Sequence, residues 1–592
     1  MKTKSVSGYR IRLLLMIVSL ITAAAVSSSC LLISALDQTG GKNELQALDF
    51  GLFSDSVTSD SLSLHFAVND PVSLKLTVPE AGLGDVSKEK SDELYARSEA
   101  YLTELEKINY DKLSREDKIT YDVILYDLEE SLAYKDFYYY YSPFNSITGL
   151  QTELPLILSE YTFETQKDVD DYLLLLKDIK RYYSDLMDFE NERADEGFAA
   201  SDENIQKIID SCESFLEDQE DHFLVSSFSE RLEKVDGLTN SEKSDYIDQN
   251  QSILDEYVFP AYELLNDGFN GLMGSGENDG GLSGLPDGKD YYELLLKTRT
   301  SSDASVKTVT RQIEYAITEA IDTIQATPYD ADFEESYNTY NFSEGSVQDN
   351  LDYCESAVEE DFPDIMDHSV TLKQVPSQLE DFFSPAAYLS CRIDDPTDNL
   401  ILTNNAALAD YQNVLETIAH EGYPGHMYEA IYHAQNTASY YQRSASFIGY
   451  SEGWAEYAAE YIMENSEYDQ TLVTYVASEN QIFNILFPSR IDIGVNYEGW
   501  TREDTYDYLS EYNLDMKEFA DYCYDMAIEI PGYYMPYCIG HLNTDEILAD
   551  AADELDGAAS LLEIHEAYLD IGPAPFPVVS KYMDIYTENQ QE

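Results

Sequence analysis

Positive charge is what this sequence has least of. Its 592 residues carry 35 lysines and arginines against 114 aspartates and glutamates, a formal net charge of -79. A surface of that sign repels phosphate backbones and anionic lipid headgroups, which excludes nucleic-acid binding and confines membrane contact to an N-terminal anchor. Adaptation to a salty or acidic medium accounts for the acidity more simply than a specific cationic partner does. Histidine is scarcer still, at 8 residues. The 6 cysteines (Cys30, Cys212, Cys354, Cys391, Cys523 and Cys538) include no C-x-x-C pair, which removes zinc ribbons and thioredoxin-type redox motifs. Their wide scatter argues against a disulfide scaffold. Eight glycines fall between residues 268 and 288, yet neither G-x-x-x-x-G-K-[ST] nor G-x-G-x-x-G occurs, so the stretch reads as a surface loop rather than a phosphate cradle.

Hydrophobic residues make up 44% of the chain, enough for a sizeable core. At the N-terminus Lys2, Lys4, Arg10 and Arg12 precede an apolar run from Leu13 to Leu36. A basic start followed by such a run is an export signal, which places the rest of the chain outside the cytoplasm. Cys30 is a candidate for lipid modification, although Ser27-Ser28-Ser29 is a poor lipobox; the run is also long enough to stay as an anchor. Residues 37–90, with Gly40-Gly41, Pro71 and Pro79, read as a tether. Beyond it, apolar residues recur at three- and four-residue spacing over 94–108, 119–134, 169–190, 205–216 and 306–325. Asn399 to Thr403 is the best strand candidate. The expected architecture is mainly α, a helical N-terminal lobe over 91–380 and a catalytic lobe over 381–592 with a small β element beside the site.

Three of the histidines, His420, His426 and His433, lie within fourteen positions. His420-Glu421-Gly422-Tyr423-Pro424-Gly425-His426 departs from the zincin signature H-E-x-x-H, whose i, i+4 spacing puts two imidazoles on one helical face. Six residues of ideal helix turn through about 600°, which would aim His426 away from His420. Pro424-Gly425 can break the helix and swing His426 back. A zinc ion needs a third protein ligand and an open position for water. Glu452 and Glu456, 26 and 30 residues further on, both lie off the apolar stripe of Trp454, Tyr457, Ala458 and Tyr461, and either can face the site. Glu421 is the candidate general base.

Four motifs in order resemble the bacterial family catalogued as domain of unknown function 885. They are His420 to His426 as H-E-x-x-P-G-H, then Glu452-Gly453-Trp454-Ala455, then Arg490 through Gly494 with Gly499-Trp500-Thr501, and finally Pro531-Gly532 with Tyr537 and Gly540. The resemblance extends over most of residues 45–585. It implies a helical zincin-like metallopeptidase with zinc on His420, His426 and Glu452 and with Glu421 as general base. Many members carry a histidine where this chain has Asn496, and Tyr537 matches a family tyrosine, with Pro536 in place of the preceding serine. A phenol there can donate to an oxyanion. Arg490 and Asn496 are candidate substrate contacts, Arg490 through a bidentate grip on a carboxylate. The expected function is an extracytoplasmic zinc peptidase acting on peptide substrates. An exported non-catalytic binding lipoprotein and a zinc hydrolase of non-peptide amides or esters are the alternatives.

Overall fold

The computed structural model describes residues 41–591 apart from 218, 277, 279, 377–379, 381–382, 410 and 513–515. The export segment and Cys30 lie outside the described residues. What is described is mainly α-helical with one three-stranded sheet. The apolar spacing read above corresponds to helices at Lys88–Leu105, Arg115–Ala133, Gln166–Asp195, Asp202–Phe215 and Val306–Ala326. In the Gln166 helix Tyr172, Leu173, Leu175 and Leu176 are buried while Leu174 is 46% exposed, on the same side as Lys177 and Arg181, so even this apolar run belongs to a helix with one buried and one solvent face. Part of the acidic excess works at helix starts. Thr165 with Asp168, Thr239 with Glu242, Ser346 with Asp349, Thr501 with Asp504, and Ser560 with Glu563 form reciprocal capping boxes. Among the described residues no helix is long and apolar enough to cross a membrane.

Two expectations about organisation need correction. The presumed tether contains helices Lys42–Val57 and Ser61–Ala67. Leu45, Leu48 and Leu52 form a stripe at helical spacing that packs on Leu105, Ile124 and Leu128. Asp49 accepts the Tyr440 and Tyr441 backbone N–H groups and so ties this helix to the far half of the chain. The division at residue 380 does not follow the packing either. Strand β1 (Ser369–Gln374) lies before it and pairs in parallel with β3 (Asp398–Thr403) beyond it, while β2 (Ala386–Leu389) pairs antiparallel on the other side of β3. Helices Gly288–Thr300 and Val306–Ala326 share a core with Phe487, Ile491, Met535 and Ile539. The helices between 150 and 272 have their own core.

The expected glycine-rich loop is only partly a loop. Gly268 and Gly271 sit in helix Phe259–Leu272, and Leu282 is buried.

The element that carries Glu452, helix Ile448–Glu464, crosses helix Met535–Leu555 at backbone contact. A Cβ on Gly540 would lie 2.1 Å from the Gly449 carbonyl oxygen, and one on Gly453 would lie 2.3 Å from the Gly540 carbonyl oxygen. No side chain fits between these helices. Gly540→Ala is therefore expected to lower the unfolding midpoint, by about 1–3 kcal/mol of overpacking. Gly271→Ala, with nothing within 4 Å of the added Cβ, should raise it slightly through helix propensity. Thermal unfolding of both variants checks the pair, and a neutral Gly540→Ala would show the crossing to be compliant.

Candidate metal centre

Helix Val414–Glu421 ends immediately after His420, and a new helix, His426–Asn436, begins on His426. The sequence segment is thus two helices joined by a tight four-residue turn, bridged by Gly425 N–H to Ala419 O and Tyr428 N–H to Gly422 O. Within the turn, Gly422 N–H donates to Ile418 O, and the Tyr423–Pro424 bond is cis. A Cβ on Gly425 would lie 1.9 Å from the His420 carbonyl oxygen, so only glycine allows the chain to pass that close. Trp454 Nε1 donates to Pro424 O at 2.9 Å and holds the turn against the Glu452 helix.

The outcome is a buried cluster in which one donor atom each from His420, His426 and Glu452 lies within 4.8 Å of the others. Glu452 Oε2 is 3.4 Å from His420 Nε2 and 3.2 Å from His426 Nε2. The two imidazole rings stand nearly perpendicular, with centroids 4.7 Å apart. Their outer nitrogens face further carboxylates: Glu456 Oε1 is 3.6 Å from His420 Nδ1, and Glu429 Oε2 is 3.9 Å from His426 Nδ1. Of the two glutamates that sequence left open, Glu452 stands between the imidazoles and Glu456 behind one of them. Burial opposes ionisation of Glu452, but His426 and His420 outweigh it and hold the carboxyl well below the usual range.

Two imidazole nitrogens and one carboxylate oxygen, buried and convergent, fit a zinc ion.

Glu421 follows His420 directly, is buried, and accepts the Tyr388 N–H of β2 at 2.8 Å. Burial raises its pKa, while the charges of His420 and His426 and the bond from Tyr388 pull it down. Tyr537, the third residue of the Met535 helix, is buried too. Burial, then the negative charge of Glu452, drives its phenol pKa well above the ordinary value, so it stays protonated.

The two expected substrate contacts are both buried and bonded to other parts of the chain. Arg490 is buried, ion-paired to Glu314 and Glu498 at 3.1 Å, and stacked 4.5 Å over the Trp500 ring. Gly494 leaves room for that ring, since a Cβ there would lie 2.3 Å from Trp500. Asn496 is fully buried; its Oδ1 accepts Leu282 N–H and its Nδ2 donates to Ala527 O. Both side chains are buried and join distant segments.

Residues missed in the sequence complete the surroundings. Glu429 accepts the Ser451 hydroxyl at 2.7 Å and lies 3.6 Å from His433 Nε2. Its spacing of three from His426 and four to His433 was a readable signal. Arg299 is buried under the turn before Tyr537, donating to Gly532 O and Tyr533 O at 3.0 and 3.1 Å. Nothing local in the sequence marks it. Asp492 supports the same turn by accepting Gly532 N–H at 2.8 Å and the Tyr292 hydroxyl.

Fold and site together define a mainly helical protein with a buried two-histidine, one-glutamate donor set. The chain belongs to the family described as bacterial protein of unknown function (DUF885), whose profile matches residues 74–583. A putative lipoprotein from Colwellia psychrerythraea has a crystal structure similar to this one, with a TM-score of 0.81 at 19% identity over 93% of this chain and 100% of that one. A putative lipoprotein of unknown function from Shewanella oneidensis is similar at a TM-score of 0.59 and 13% identity, again over 93% and 100%. No curated protein matches the chain.

Burial raises the Asp492 pKa to about 7, against the bonds from Tyr292, Gly532 and Asn496 and the charge of Arg299. From about pH 4 to 7 the unfolded chain has released this proton and the folded chain retains it. Stability from this group is therefore greatest at the acid end, falls as pH rises through the window and levels off above it. Asp492→Asn cannot titrate, so the parent's advantage in unfolding midpoint over this variant should be larger at pH 4.5 than at pH 7.5. A constant difference would mean that the folded protein does not protonate Asp492.

Proposed function

We propose that the protein is a zinc-dependent peptidase acting outside the cytoplasm. The observation that carries this reading is the burial of His420, His426 and Glu452 around one point, with Glu421 adjoining and Tyr537 close enough for the charge of Glu452 to act on it. His420, His426 and Glu452 would hold the ion, which when bound supplies a Lewis acid that polarises the scissile carbonyl and acidifies water. Glu421 takes a proton from the attacking water and delivers it to the departing amine nitrogen. The Tyr388 N–H, bonded to one of its oxygens, keeps that carboxylate in place. Tyr537 holds its proton and donates a hydrogen bond to the oxyanion of the tetrahedral intermediate. Glu456 and Glu429 orient the two imidazoles.

Purified protein is expected to carry about one zinc per chain. His420→Ala and His426→Ala should lose it, and His433→Ala should not. Glu421→Gln keeps size and metal but cannot accept the proton, so kcat should fall by ~100- to 10,000-fold with KM little changed. Tyr537→Phe should cost on the order of 10- to 1,000-fold. Elemental analysis and kinetics on a cleaved peptide test these together. A folded, zinc-loaded Glu421→Gln protein as fast as the parent eliminates the mechanism, and a parent that cleaves no peptide favours a binding lipoprotein.

The export reading rests on Lys2 to Arg12 and the run Leu13 to Leu36. The word lipoprotein in the descriptions of both structural neighbours supports an anchored form. A reporter fused after Gly41 should work only outside the cytoplasm. Fatty-acid labelling that Cys30→Ala abolishes would establish a lipid anchor, and label-free, membrane-bound protein a transmembrane one.

A further inference from the structure

Beside Glu452 lies a cavity of about 210 Å³. Its walls are largely apolar, with Val57, Leu62, Phe66, Ile157, Leu389 and Phe447 among them. Ser451 and Glu452 also line it, so it adjoins the His420–His426–Glu452 cluster through Glu452. The size sets the class of occupant. An apolar cavity of ~150 Å³ holds benzene, whereas sites for drug-sized ligands begin near ~300 Å³. This one has room for a single large side chain.

The charged groups in the wall are engaged for the most part. Arg443 stacks 4.6 Å over the Tyr440 ring, with the charges of Asp49 and Asp394 acting on it, although its Nε has no hydrogen-bond partner among the described residues. Glu429 is bonded to Ser451 and lies beside His433. Most of the surface left for selection is apolar.

We infer that this cavity receives an aromatic or branched aliphatic side chain of the peptide, carried by a residue flanking the scissile bond; the inference rests on the peptidase reading above. Part of the wall comes from helices Lys42–Val57 and Ser61–Ala67, which lie ahead of the residues matched by the family profile. The preference is therefore set in part by these two N-terminal helices. Burying a large apolar side chain in place of alanine discriminates on the order of 10- to 200-fold per methylene-scale step at its best.

The full chain, digesting a mixed peptide library, should enrich Phe, Tyr, Leu or Ile on one fixed side of the cleaved bond by on the order of 10- to 100-fold over Ala. Ala434→Phe, which fills the cavity, should shift that position toward small residues. Phe66→Ala, which enlarges it, should admit Trp. Opposite shifts from two variants are not the signature of a folding defect. A second arm needs no turnover: calorimetric titration with 3-phenylpropionamide and with propionamide, where only the phenyl compound should bind and Ala434→Phe should weaken it at least tenfold. Cleavage with no apolar enrichment, or with a profile that neither variant alters, overturns the pocket and leaves the peptidase reading standing. Phenyl-selective binding lost in Ala434→Phe, without cleavage of any peptide, supports the pocket and overturns the peptidase. Absence of phenyl-selective binding overturns the pocket whatever the cleavage result.

Discussion

Two imidazoles six residues apart can meet one carboxylate only if the chain between them gives up its regular helix. Residues 422–425 do this, with Gly425 passing so near the His420 carbonyl that a methyl group would have to push the two helices apart. The turn does not stand alone. Trp454, two residues beyond Glu452, donates its indole N–H to Pro424 O, so the helix that brings the third donor also fixes the turn that aligns the first two. That helix is in turn set by its contact with the Met535 helix at Gly449, Gly453 and Gly540. Tyr537 sits at the start of the latter. One chain of close backbone contacts thus runs from the histidine turn to the phenol, and a shift anywhere along it moves every functional group.

The electrostatics follow from that geometry. Glu421, Glu429 and Glu452 are all buried, and Glu456 stands behind His420. Burying a carboxylate costs several kcal/mol unless an opposite charge or donors compensate. Imidazoles supply part of the compensation here, through the contacts with Glu452, Glu429 and Glu456. Protonated imidazoles could supply more, but they would be useless as metal ligands. A divalent cation would resolve the conflict, because it would compensate the carboxylates while the imidazoles stay neutral. Glu421 differs from Glu452 in having a backbone N–H, not two imidazole nitrogens, at its oxygen; burial pushes both pKa values up, and only at Glu452 do the imidazoles outweigh it and hold the carboxyl below the usual range.

Periodicity made most helices and β3 legible, and the rarity of histidine made the 420–426 segment legible. The errors have physical reasons. Arg490, Asn496, Gly494 and Trp500 belong to motifs that mark a constraint without saying of which kind. In three dimensions the constraint is a stacked arginine and a buried amide joining segments more than 200 residues apart, as Asn496 joins Leu282. The Lys42 helix was hidden by the flanking glycines and prolines, although Leu45, Leu48 and Leu52 already carried helical spacing. The division at 380 failed because β1 and β3 pair across it, and a parallel pairing with a connection between leaves no local mark. Arg299 was out of reach altogether, since its partners are backbone carbonyls more than 230 residues away.

The donor set, Glu421 and Tyr537 all lie on helices that meet at close glycine contacts. The cavity beside Glu452 is closed in part by Val57, Leu62 and Phe66, which come from the N-terminal helices and are held there by side-chain packing and by Asp49. A wall held by side-chain packing yields to a volume change of a methylene or two by shifting neighbouring side chains, whereas at the glycine crossings an added methyl group meets the backbone of the facing helix. Substitution in residues 42–67 is therefore expected to alter the shape of the cavity while leaving the imidazoles in place.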